Sequence, residues 1–151
     1  MIALNHALTG AVVAAVLKEP ALALPAAFLS HFAIDSLPHW NYWVPGQRRF
    51  RRWVIFSDMI LSLVLLTFLA VTLVGVEWWL ILGAGLLAIS PDMMWFPYLI
   101  IGKDTPADGN SLLHRLRRFH LRIQWSETVK GLLFELAWFV LMLTLVFSIA
   151  G

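Results

Sequence analysis

Cysteine is absent from the 151 residues, and charged side chains are scarce at 13%. The first absence excludes thiolate nucleophiles, disulfides and cysteine-ligated zinc, and leaves the redox compartment open. The second excludes an ordinary soluble domain, in which about a quarter of residues are charged. Apolar residues take the space instead: 60% of the chain is hydrophobic, with a mean hydropathy of +0.80. That is the composition of an integral membrane protein, and the length suits one helical membrane domain, 1–151. The opening residues Met1-Ile2-Ala3-Leu4-Asn5 carry no basic cluster and no small-residue cleavage site is evident, so no removable signal peptide is expected. The sequence pI is near 9.4. The basic residues flank apolar runs, as the positive-inside rule requires, so nucleic acid is not an expected partner.

The apolar runs predict an all-α fold of about five transmembrane helices with one interfacial helix. The first span covers Leu4 to Leu17 and is short; the second, Ala21 to Leu37, stops at Pro38, which lacks the N–H needed to continue. A loop from Asn41 to Trp53 mixes four arginines with Trp43, Phe50 and Trp53. The third span runs from Val54 to Val76 and the fourth from Trp78 to about Trp95, interrupted by Pro91. The polar segment Gly102 to Thr128 holds Leu112, Leu113, Leu116, Phe119 and Ile123 at helical spacing among Arg115, Arg117, Arg118 and Arg122. This pattern predicts a basic amphipathic helix on the membrane surface, capped by Asn110 or Ser111. Val129 to Ala150 forms the fifth span. Arginine asymmetry then places the N-terminus and both basic connections in the cytoplasm.

On that map His6, His31, Asp35, Asp58, Asp92, His114, His39 and Glu135 all fall near one depth, beside the cytoplasm, although they come from every span and from both basic connections. Ionisable groups in an apolar setting are costly unless they pair, bind metal or line a wet cavity. His31 and Asp35 are one helical turn apart, on one face. Imidazoles and carboxylates without thiolates suit a divalent metal, zinc first and manganese or iron next. His6, His31, Asp35 and Asp92 are the expected ligands, with Asp58 and His114 as second choices. His39 or Glu135 would serve as general acid or base.

The string Leu29-Ser30-His31-x-x-x-Asp35 with Pro38, His6-x-x-x-Gly10, Pro91-Asp92, and His114-Arg115 with His120 resembles the YdjM-like family of metal-dependent hydrolases of bacterial inner membranes. The resemblance implies a helical membrane protein with a metal site. Met94 stands where that family has a second aspartate after Pro-Asp, and the order of blocks is exchanged. The expected activity is hydrolysis of a phosphoester or phosphodiester of a membrane lipid at the cytoplasmic leaflet. Rival readings are a transporter or channel module relaying protons or cations, and a structural membrane adaptor.

Overall fold

The computed structural model describes residues 1–40, 42, 48–95 and 109–150. The expected interfacial residue Trp43 and the start of the polar segment, 102–108, lie outside the described residues. The described chain is all-helical: α1 (Ala3–Leu17), α2 (Pro20–Asp35), α3 (Arg48–Thr72), α4 (Trp78–Ile89) continued by a 3₁₀ turn (Ser90–Trp95), α5 (Leu112–Ile123) and α6 (Gly131–Ala150).

Local sequence sets the boundaries. Glu19 caps α2 and Pro20 occupies its first position, where a missing N–H costs nothing. Pro38 follows three residues after the helix ends. Between α1 and α2 the chain reverses at Lys18, whose φ of 56° is left-handed, and its N–H closes on the Ala14 carbonyl at 2.9 Å. Pro91 stops α4 as an α-helix, and the next turn tightens to 3₁₀. Ser111 caps α5 by accepting the His114 N–H.

Helix α1 is the centre of the bundle, packed against α2, α3, α4 and α6. Its small residues Ala3, Ala7, Ala11, Ala14 and Ala15 are buried, and Ala84 and Ala88 of α4 face the same core. The approach is close enough that a Cβ on Gly10 would lie 2.5 Å from the Ala84 carbonyl oxygen. Close backbone packing of small residues holds apolar helices together where water supplies no driving force.

Among the described residues, three stretches are long and apolar enough to cross a membrane: Phe50–Thr72, Trp78–Trp95 and Gly131–Ile149. Helices α1 and α2, with 15 and 16 residues, are apolar but shorter. Large apolar side chains point outward from α3 and α6, including Val64, Val71, Leu133 and Val140. Such surface is normal against lipid and abnormal against water.

Candidate metal centre

The polar residues gather at the end of the bundle where α1 begins. An α-helix starts with N–H groups that have no partner inside it, and α1 has no side-chain cap of its own. Distant acids supply one. Asp58 of α3 accepts from Ala3 N–H at 2.6 Å and Leu4 N–H at 3.1 Å, and takes the Tyr42 hydroxyl as well. Burial and the adjacent Asp58 carboxylate push the Tyr42 phenol well above its ordinary range, keeping it a donor. Glu135 of α6 accepts from Ile2 N–H (3.2 Å), the Asn5 amide (3.3 Å) and Trp40 N–H (2.8 Å).

Beside this capped terminus lies a second group with different chemistry. His31, Asp35, Asp92 and His120 each direct one ligating atom to a common point, all within 4.8 Å of one another. His120 Nε2 is 2.8 Å from Asp35 Oδ2 and 2.9 Å from His31 Nε2. His31 Nε2 is 3.3 Å from Asp35 Oδ2 and 3.7 Å from Asp92 Oδ1, and His120 Nε2 lies 3.6 Å from that same Asp92 oxygen. A tetrahedral cation with bonds of about 2.1 Å separates its ligand atoms by about 3.4 Å, and the five separations bracket that value. Two imidazoles and two carboxylates form a donor set for a borderline divalent ion, and the site can hold one. Three of the four side chains are fully buried, whereas Asp92 is 26% exposed. The opening is therefore at Asp92.

Neighbouring groups orient the ligands. His31 Nδ1 sits 2.8 Å from the Ala88 carbonyl; it must donate there, which leaves Nε2 as a lone pair aimed inward. His120 is arranged the other way. The Trp95 indole N–H donates to His120 Nδ1 at 3.0 Å, so in the neutral ring the proton is on Nε2 and points to Asp35. Gln124 adds a donor to Asp35 Oδ2 at 3.2 Å. On the other side of Asp35, Oδ1 receives the Met1 amino group at 2.5 Å and lies 3.1 Å from His6 Nε2. The His6 ring is stacked on His31, centroids 4.0 Å apart.

Of the residues expected from sequence, the structure brings His31, Asp35 and Asp92 into one group with His6 against it. Asp58 and Glu135 sit at the α1 terminus, and His114 bonds its own cap, Ser111 Oγ, at 2.6 Å. His39 donates from Nδ1 to the Leu37 carbonyl (2.7 Å) and holds Nε2 3.8 Å from Glu127 Oε1. Its burial lowers the imidazole below its usual value, so the ring is neutral near pH 7.

His120 was not among the expected ligands. Its signal is its place on α5, one turn after Arg117; these two form the buried edge of that helix, while the apolar stripe leaves Leu112 83% exposed. Leu112, Leu113 and Phe119 of the stripe are exposed and Leu116 and Ile123 half-buried, whereas the adjacent polar edge is the part of the helix that is fully covered. No protein-family model, curated protein or solved structure matches this chain, so the site is read from its own geometry.

Proposed function

We propose that this chain is a membrane-embedded metal-dependent hydrolase of the YdjM-like type. It acts on a phosphoester or phosphodiester of a membrane lipid. The observation that carries the reading is the convergence of His31, Asp35, Asp92 and His120, three elements and two sequence halves meeting at one partly open point. A divalent metal there, zinc by donor set with manganese or iron also compatible, would supply Lewis acidity and a water acidic enough to ionise near neutral pH.

The chain's own residues do the rest. Asp35 and Asp92 offset the charge of the ion, and the α4 backbone carbonyl at Ala88 fixes the His31 ring. Asp92 faces the entrance, where a substrate oxygen would arrive. Arg115 and Arg122 lie on the exposed side of α5 and suit a phosphate headgroup by paired hydrogen bonds. The exposed leucines of α5 rest in the apolar boundary of the leaflet. His39, with a lone pair on Nε2, is the group suited to accept a proton, because Glu135 is engaged by three donors.

The topology that fits is five spans in an inner (plasma) membrane, with the N-terminus and the basic segments cytoplasmic. Helix α1 crosses in spite of its length because protein surrounds it, and the proposed site then lies at the cytoplasmic leaflet. The transporter reading is disfavoured by the other half of the bundle, where Ala14, Ala15, Leu69, Leu80 and Val146 form an apolar core.

Elemental analysis of purified protein tests the metal: at least one equivalent is expected, with most of it lost in His31→Ala. Metal-free protein of ordinary stability would remove the hydrolase reading. For topology, a reporter inserted near Asp108 should face the cytoplasm and one joined after Gly151 should not. Both on one side would end the five-span arrangement.

A further inference from the structure

Outside the four-residue group, but against it, lie the buried imidazole of His6 and the second carboxylate oxygen of Asp35. His6 is fully buried, yet neither of its ring nitrogens has a hydrogen-bond partner. Its Nε2 comes within 3.1 Å of Asp35 Oδ1 without the alignment of a hydrogen bond. A buried polar atom that makes no hydrogen bond is costly, and on this ring neither nitrogen makes one. The adjoining carboxylate is divided between two sides: Oδ2 faces His31 and His120, while Oδ1 faces His6 and a positive group, the Met1 ammonium. Asp35 is thus placed as a bridge, with a cation position on either side.

We propose that a second divalent cation seats between His6 Nε2 and Asp35 Oδ1, replacing the ammonium there, and that it enters together with the phosphate group of the substrate. This deepens the hydrolase reading and rests on it. Charge decides the coupling. A first divalent ion is neutralised by Asp35 and Asp92. A second shares only Asp35, because Asp58 and Glu135 are engaged by the amides of α1. The start of α1 also adds partial positive charge at this end. Two divalent ions against two carboxylates leave about two positive charges in a low-dielectric setting, where uncompensated charge is strongly disfavoured. A phosphate group carrying one or two negative charges removes that excess. Paired ions about a phosphoryl centre are a known way to stabilise both attacking and leaving oxygens.

The experiment uses the full chain in detergent micelles, stripped by chelator and titrated with Mn²⁺ under electron paramagnetic resonance. Without phosphate, one equivalent should bind and give the six-line spectrum of an isolated ion. With inorganic phosphate, or separately with phosphatidic acid in the micelle, a second equivalent should bind at least tenfold more tightly than without the anion. The spectrum should then become that of an exchange-coupled pair. Whichever anion induces the second equivalent identifies the source of the phosphate, headgroup or free ion. His6→Asn should keep the first equivalent and lose the second, whereas His120→Ala should lose the first. The wild-type spectra do not depend on either variant folding. One equivalent with every anion would overturn the second seat and leave the hydrolase reading standing. Two equivalents without anion would overturn the coupling, and loss of the first ion in a folded His6→Asn would overturn the assignment of His6. Protein that binds no Mn²⁺ in any condition would overturn both readings.

Discussion

Asp35 and Asp58 are both buried at the same end of the helical bundle, and each closes a different kind of gap. Asp58 is surrounded by backbone amides of α1 and a phenol, and Glu135 by the backbone N–H groups of Ile2 and Trp40 and the Asn5 side-chain amide. The acceptor capacity of Asp58 is matched by donors that cannot leave. Asp35 is surrounded by imidazoles, a glutamine amide and an ammonium, groups that can rearrange or exchange for a metal. The first arrangement completes a helix; the second leaves a site. Burial of an acid in an apolar protein is therefore ambiguous until its partners are known. Fixed backbone donors point to architecture, and convergent side chains that can give up a proton or be exchanged for a cation point to chemistry.

Asp35→Asn breaks the comparison most sharply. The amide keeps the shape and can still accept the His120 Nε2 proton, so the protein should fold. It loses the charge that offsets a cation in low dielectric. Metal occupancy should fall below half, and lipid phosphoesterase turnover should drop about 100-fold or more. Glu19→Gln, at the other end of the bundle, should change neither. Unchanged metal and turnover in Asp35→Asn would leave the centre without its central ligand.

Asp58→Asn should do the reverse. One amide oxygen can accept one N–H of α1, but the NH₂ group then faces another donor, and a buried amide loses its partner. A loss of about 3 kcal/mol is expected, read as an earlier unfolding midpoint in a detergent or denaturant titration, with metal content per folded molecule unchanged. Metal lost in proportion to Asp35→Asn would mean that the two acids share one role.

Much of this was legible beforehand because it is local. Pro38 and Pro91 mark the ends of α2 and α4, Ser111 caps α5, and the four-residue spacing of His31 and Asp35 puts both on one face. Apolar length marked α3 and α6 as helices long and apolar enough to cross a membrane. The partnership of Asp58 and Glu135 with α1 was not legible, because the sequence separations are 55 and 133 residues and depend on how five helices pack. His120 was masked by its own helix: an apolar stripe invites the assumption that the stripe faces the protein, and here the adjacent polar edge does. A surface helix at a membrane has two apolar surroundings to choose between, and periodicity alone does not distinguish them.

Gly10→Ala sharpens the comparison from the side of the scaffold. The added Cβ meets the Ala84 carbonyl and the Ala88 Cβ, at 2.5 and 2.9 Å, so α1 and α4 must separate. Stability should fall by about 2 kcal/mol. Because α4 also carries the Ala88 carbonyl that orients His31, metal affinity should weaken about tenfold as well, within the usual range for partners of metal ligands. Gly83→Ala is the control: its Cβ would make an ordinary 3.5 Å contact with Leu24, and neither quantity should move. A Gly10→Ala protein with wild-type affinity would uncouple helix spacing from the centre.

The smallest effect expected has a sign that is easy to get wrong. Trp95 donates its indole N–H to His120 Nδ1, stacks near that ring at 5.8 Å and lies under the Arg117 guanidinium at 5.9 Å. Partners of metal-bound histidines usually accept from the outer nitrogen and strengthen the ligand, and their removal weakens binding. An indole cannot accept. Its N–H holds the His120 proton on Nε2, the atom that would bind the cation, so ligation requires the proton to leave or to move to Nδ1, where two N–H groups would face each other. Trp95→Phe keeps an aromatic ring beneath Arg117 and removes that opposition. Metal affinity should therefore rise about threefold, a change worth about 0.7 kcal/mol, measured by competition with a chromophoric chelator at fixed pH. Weaker binding in this variant would mean that Trp95 serves to orient a ligand, with the indole turned away once the ion is bound. The contrast between His31, prepared by a carbonyl, and His120, opposed by an indole, would then disappear.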